Sequence, residues 1–194
     1  MKAVFLKGSP AAGQDPLSNR AAAAVMAQAK ARGWETKAFA LAGMDIQPCR
    51  GCFSCWVKTP GICVLKDDDQ ESILRAWAEA DLIAMLTPIT FGGYAPELKK
   101  ALDRIIPVLL PFFIKLRGET HHPQRYPLPR RLLAIGTQKQ EDADSEDVFR
   151  RLVLRNALNM GDVEATILVL AGDITLADIE KKLAAEPLFS EVAK

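Results

Sequence analysis

Short apolar segments alternate along this chain with longer stretches in which apolar positions recur every three or four residues. Segments Ala3–Leu6, Glu35–Leu41, Asp81–Leu86, Arg131–Ile135 and Glu164–Leu170 predict strands. Between and after them, Pro16–Ala31, Asp69–Glu79, Ala95–Ile106, Ser145–Leu158 and Leu176–Ala185 predict helices, the first of them rich in alanine and stopped by Gly33. Strands of this kind, short, apolar and without an in-out period, belong in a parallel sheet whose two faces are both covered by helices.

Five such strands suit the flavodoxin-like order 2-1-3-4-5, an α/β three-layer sandwich in which ligands bind beyond the carboxyl ends of the strands. The loops after the first, third and fourth strands are therefore where chemistry is expected. Two insertions interrupt the regular spacing of what is otherwise expected to be a single domain over residues 1–194. One, at about 42–68, holds all four cysteines; the other, at about 107–130, holds five of the twelve prolines. Neither an internal repeat nor a low-complexity tract is evident.

Charge narrows the choice of partner. Lysine and arginine number 25 against 24 acidic residues, so there is no electrostatic case for a nucleic acid or an anionic membrane surface. The longest apolar run, Ile105–Ile114, is interrupted by Pro107 and Pro111 and is far shorter than the roughly 20 residues of a spanning helix. The opening MKAVFLKGSP lacks the pattern of a secretory signal, so a cytoplasmic protein is expected. In a reducing compartment, clustered cysteines point to metal or redox chemistry before disulfides.

The loop Gly8–Arg20 joins the first strand to the first helix. Without the lysine of a Walker loop or the Gly-x-Gly-x-x-Gly of a dinucleotide fold, it does not favour a triphosphate or a pyrophosphate. Ser9, Ser18 and Asn19, the cation Arg20 and the free amides of a helix start suit a terminal monophosphate. The alternative is that Asp15 and Pro16 simply cap the helix while the serines serve as turn residues. After the third strand, Thr87-Pro88-Ile89-Thr90-Phe91-Gly92-Gly93-Tyr94 forms a second wall. There the paired glycines would let backbone approach a flat ring, with Phe91 or Tyr94 beside it, unless they only make a tight turn. Gly136-Thr137-Gln138, after the fourth strand, is either a third wall or an ordinary strand-end turn.

Cys49, Cys52 and Cys55 recur at intervals of three, and Cys63 follows a Pro60-Gly61 turn. Three thiolates so spaced can curl around one corner of a cubane, with the fourth returning to complete it. A zinc site more often splits its ligands into two separated pairs, so iron suits the spacing better. A [4Fe-4S] cluster, reduced thiols in a structural loop, zinc and a disulfide all remain open from spacing alone.

Taken together, Gly8-Ser9-Pro10, Ser18-Asn19, Thr87–Gly93 and Glu97-Leu98-Lys99 resemble the flavodoxin-like NAD(P)H-dependent FMN reductases, and the cysteine series resembles their iron-sulfur flavoprotein branch. The resemblance implies FMN, its phosphate held by Ser9, Pro10, Ser18, Asn19 and Arg20 and its ring by Pro88, Ile89, Thr90, Phe91, Gly92 and Gly93, with Gly136 and Thr137 beside it. At Arg20 the chain departs from the small hydroxylated residue commoner in the family. It also implies NAD(P)H as electron donor, a small-molecule or protein acceptor, a [4Fe-4S] cluster on Cys49, Cys52, Cys55 and Cys63, and a homodimer or homotetramer. No protein nucleophile or paired carboxylate is required, because a flavin carries the chemistry. A non-enzymatic flavodoxin-like electron carrier and a thiol-based redox sensor are the rival readings.

Two further clusters have simpler explanations. Asp67, Asp68 and Asp69 precede a helix and are expected to cap it. His121 and His122, adjacent in a proline-rich insertion, are expected to be solvated or interfacial rather than lining a nicotinamide pocket.

Overall fold

A computed structural model describes residues 1–9, 15–126 and 130–190. Its elements run β1 (Lys2–Lys7), α1 (Pro16–Ala31), β2 (Glu35–Ala40), α2 (Ser54–Val57), α3 (Gln70–Glu79), β3 (Leu82–Pro88), α4 (Pro96–Asp103), β4 (Ile114–Leu116), β5 (Glu119–His121), β6 (Arg131–Gln138), α5 (Ala143–Asn159), β7 (Glu164–Ala171), α6 (Leu176–Ala185) and α7 (Pro187–Ser190). The main sheet is parallel with order β2-β1-β3-β6-β7. This is the expected α/β architecture. The labels depart from 2-1-3-4-5 because an unforeseen antiparallel pair, β4–β5, lies between the third and fourth strands of the sheet.

Alternate residues of the central strands enter two separate cores. Val4, Leu6, Ile83 and Met85 pack beneath α3, α4 and α5, with Trp77, Leu98 and Phe149. Ala3, Phe5, Leu82, Ala84 and Leu86 pack against α1 and α6 on the other side, with Ala21, Val25, Ile179 and Leu183. Double-sided burial is why these strands read as unbroken apolar runs.

Three local departures have physical causes. The helix expected to reach Ile106 stops at Asp103, with Arg104 as its cap. Pro107 has no N–H to donate to the carbonyl of Asp103, so the α-helical ladder cannot continue through it, and the chain goes on as a 3-10 turn over Ile106–Val108. The β4–β5 hairpin closes through Arg117 and Gly118, both with positive φ (47° and 81°), a two-residue turn whose twist matches its strands. At the other insertion, Phe53 and Gly51 take left-handed φ values of 53° and 63°, curling the chain around Cys52 before the single turn of α2. Among the described residues, no helix is long and apolar enough to cross a membrane.

Candidate functional site

A crevice of about 820 Å³ opens beyond the carboxyl ends of the sheet, within the size range of small-molecule and cofactor sites. Its first wall is the start of α1, from Asp15 to Leu17 with Arg20; its second is Pro88 to Phe91; its third runs from Thr137 through Asp142 to Ser145. Gly172 and Asp173, after β7, complete it. The fold thus brings together the three loops singled out by sequence and adds a fourth.

The walls are hydrogen-bonded to one another. Ile89 N–H donates to the Thr137 carbonyl at 2.8 Å, joining the second wall to the third. Ser18 Oγ lies 2.5 Å from Thr137 Oγ1, joining the first to the third. Ser18 is also bound to Asp15, the N-cap of α1: its N–H donates to Oδ1 at 3.0 Å and its hydroxyl to Oδ2 at 2.5 Å. Asp15 therefore holds an anionic oxygen against the first free amides of the helix, the position in which a bound anion would sit. A second cap of the same form, Asp142, accepts from Ser145 N–H at 3.0 Å and from its hydroxyl at 2.7 Å. Those bonds hold the Asp142 carboxyl below its usual range.

Each expected site residue except Pro10 can be placed. Ser9 is buried just beyond β1, and its hydroxyl has no partner among the described residues. Pro10 lies outside the described residues. Asn19 is half-buried on α1 and does not border the crevice. Arg20 is exposed and borders it, donating to the Ile174 carbonyl at 3.3 Å. Phe91 stands fully exposed at the lip with φ 49°.

The glycines have packing reasons of their own. At Gly92 a Cβ would come 2.5 Å from Val148 Cγ1, and at Gly136 it would come 2.7 Å from Ile89 Cδ1 and 2.9 Å from Phe149 Cε1. Both let α5 approach. Gly93 closes a tight turn through reciprocal hydrogen bonds with Thr90, at 2.8 and 3.0 Å. Tyr94 points into the core, accepting from Asn156 at 2.7 Å and packing edge-on against Phe149. Burial raises its phenol to about 12.

The four cysteines border one small pocket of about 40 Å³, shared with Phe53, Arg104 and Ile106. All are free thiols; Cys55 is buried and Cys49 and Cys52 are exposed. Burial pushes the Cys55 thiol up, whereas hydrogen bonding to Ser54 lowers Cys52. Behind Cys63 lies the fully buried side chain of Arg104, whose Nη2 donates to Sγ at 3.3 Å and whose Nη1 pairs with Asp68. No group of three or more His, Cys, Asp or Glu among the described residues is arranged to hold a metal ion. As placed, the thiols share a pocket without forming a metal centre.

Two sequence expectations change here. Asp68 does bond the Gln70 N–H at the start of α3, at 3.2 Å, but its principal partner is Arg104. Asp69 makes no side-chain cap and instead accepts from Asp45 N–H at 2.8 Å. The ion pair was illegible because Arg104 and Asp68 lie 36 positions apart with no period linking them. His121 is buried rather than solvated, its Nδ1 2.9 Å from Asn159 Oδ1, while His122 lies between the rings of Trp56 and Phe113.

Comparison with known proteins agrees with this architecture. The structure superposes with an NAD(P)H:quinone oxidoreductase from Methanothermobacter marburgensis at TM-score 0.68 and 14% identity, over 97% of this chain and 98% of that one. An FMN-dependent NADH-azoreductase from Bacillus anthracis, solved with FMN, gives TM-score 0.65 at 13% identity, over 99% and 96%. These likenesses define a flavodoxin-like fold. Residues 1–122 match the family model described as NADPH-dependent FMN reductase, and the chain belongs to that family. Among curated proteins, an iron-sulfur flavoprotein of Methanocaldococcus jannaschii is 36% identical over 116 residues, 59% of this chain and 57% of that protein. One from Methanosarcina thermophila is 32% identical over 106 residues, 55% and 53%. The matched segment thus spans about half the length of these curated relatives.

Proposed function

We propose that the chain binds FMN in the crevice at the sheet's carboxyl edge and acts as an NAD(P)H-dependent oxidoreductase, passing reducing equivalents to a small-molecule or protein acceptor. Family membership supports the cofactor and the reaction class. The observation that carries the site is Ser9 Oγ, a buried hydroxyl beyond β1 with no partner among the described residues, in a fold whose first helical turn brings Ser18 Oγ against Thr137 Oγ1 of β6. Unpaired buried hydroxyls are costly, and a phosphate oxygen would satisfy one.

In this reading Ser9, Ser18, Asn19 and Arg20 bind the phosphate, with Pro10 beside them. The Pro88–Gly93 loop and the Gly136-Thr137 segment orient the ring, and Phe91 at the lip excludes water from one side. FMN, once bound, supplies hydride and single-electron chemistry, so the chain needs no nucleophile of its own. Exposed Phe91, Phe112 and Phe113 favour self-association into a dimer or tetramer.

The finer reading gives Cys49, Cys52, Cys55 and Cys63 a [4Fe-4S] cluster. Its support is the spacing and the identity to iron-sulfur flavoproteins. Since no metal centre is formed as the thiols stand, the loop would have to draw them together, and iron and sulfide analysis after anaerobic purification tests it. For the main proposal, NADPH is added anaerobically to FMN-loaded protein without a partner. Bleaching of the flavin supports an oxidoreductase; a flavin that stays oxidised with both NADPH and NADH makes it a carrier instead.

A further inference from the structure

The chain Asp15–Ser18–Thr137 has two hydroxyl protons and two short contacts to fill. With Asp15 ionised, only Ser18 can supply the proton between its Oγ and Asp15 Oδ2, 2.5 Å apart. Ser18 Oγ must then accept in its other 2.5 Å contact, so Thr137 is the donor there. Ser18 N–H is also committed, to Asp15 Oδ1 at 3.0 Å. Both hydroxyls are buried, at 1% and 3% exposure, and neither keeps a proton for an incoming phosphate.

The surrounding charge does not help. Asp15, Asp142 and Asp173 line the crevice against Arg20 and Lys139, and the Pro88–Phe91 wall carries no ionisable group. Asp142 is bonded to Ser145, and Arg20 donates to the Ile174 carbonyl. A phosphate dianion therefore enters a crevice already in negative excess, and neighbouring anions disfavour each other's charged forms.

One added proton removes both obstacles. A protonated Asp15 donates from Oδ2 to Ser18 Oγ, and Ser18 is free to donate onward. One hydroxyl proton, at Ser18 or at Thr137 on the crevice wall, becomes available to the ligand. The balance is one proton taken from solvent and one hydrogen bond gained by the phosphate. We propose that Asp15 sets the protonation state in which the flavin phosphate is held: FMN binds together with one proton, shared between Asp15 and the phosphate. The inference rests on the reading that FMN occupies this crevice.

The test is calorimetric titration of the flavin-free full chain with FMN at about pH 7.5, in two buffers of different ionisation enthalpy, which counts the protons taken up on binding. A phosphate monoester loses its second proton at about pH 6, so free FMN is then mostly dianionic and uptake of about one proton is expected. The dissociation constant should accordingly rise about tenfold from pH 7 to pH 8. Asp15→Asn presents an amide N–H to Ser18 Oγ as the protonated acid does, so uptake should fall to near zero and the pH dependence should vanish. FMN binding without proton uptake would mean that Asp15 withdraws as a carboxylate; it would overturn the inference and leave the flavin reading intact. Undiminished uptake in Asp15→Asn would put the proton elsewhere and overturn it equally. Absence of FMN binding would overturn the flavin reading itself, and this inference with it. Should Asp15→Asn fail to fold, the proton count of the wild-type chain decides alone.

Discussion

Ser18 Oγ and Thr137 Oγ1 lie 2.5 Å apart, so the first turn of α1 and the end of β6 meet through two buried hydroxyls rather than through apolar packing. Asp15 Oδ2 lies 2.5 Å from the first and 3.3 Å from the second. A carboxylate thus completes a group of donors otherwise suited to a phosphate. FMN binding would place a dianion against that carboxylate, and like charges at close range cost several kcal/mol when partly screened from water. Asp15→Asn is expected to tighten FMN binding about tenfold, since asparagine caps a helix as well as aspartate and leaves folding intact. Flavin-fluorescence quenching reads the change; weaker binding would mean that Asp15 supports the phosphate instead of opposing it.

Arg104 holds the cysteine insertion at several points. Besides Asp68 and Cys63, its guanidinium donates to the Gln47 carbonyl at 3.1 Å and the Leu65 carbonyl at 3.4 Å, on either side of the four thiols. Arg104→Met leaves Asp68 buried without its cation and is expected to cost about 3–5 kcal/mol in urea unfolding. By contrast Glu71→Ala, which breaks the exposed Glu71–Arg75 pair, should cost less than about 1 kcal/mol. Similar losses for the two would place Arg104 outside the buried framework.

Gly92 carries two separable constraints. Its φ of 74° strains any side chain, and a Cβ would press on Val148. Gly92→Ala is expected to destabilise the fold by about 1–3 kcal/mol, combining overpacking with backbone strain. Adding Val148→Ala should recover only the steric part. Full recovery in a double-mutant cycle would show that the backbone conformation costs nothing.

The hairpin is tied to α5 through Glu119 and Arg155, whose Nη1 and Nη2 reach the two carboxylate oxygens at 2.8 and 2.5 Å. Hydrogen bonding to Arg155 leads the causes that bring Glu119 from near 4.5 to about 2, helped by the Arg155 charge and by His121. A carboxyl depressed in the folded state contributes stability above its unfolded pKa and loses it as pH falls through the folded one. Attachment should therefore weaken between about pH 4.5 and pH 2. NMR titration of the Glu119 carboxyl checks this, and Arg155→Ala should return it to the ordinary range.

Elements with double-sided burial were legible because their apolar runs are dictated by the cores they enter. Pro16–Ala31 and Leu176–Ala185 match the expected spans to the residue, each with a capping side chain, Asp15 or Thr175, written just before it. The hairpin was illegible because Arg117-Gly118 is not one of the common turn pairs and three-residue strands show no period. Within the crevice, the loops after β1, β3 and β6 could be placed from the sheet's order. The contribution of Gly172 and Asp173 could not, since nothing local distinguishes that turn.

Titrating flavin-free protein with FMN, beside a Ser9→Leu/Ser18→Leu double variant, tests the crevice most directly. Stoichiometric uptake by the wild-type chain, with a yellow spectrum that survives gel filtration, and loss of uptake by a variant that keeps its circular dichroism, is the expected result. A wild-type chain that stays colourless, or a folded double variant that retains flavin equally well, would contradict it.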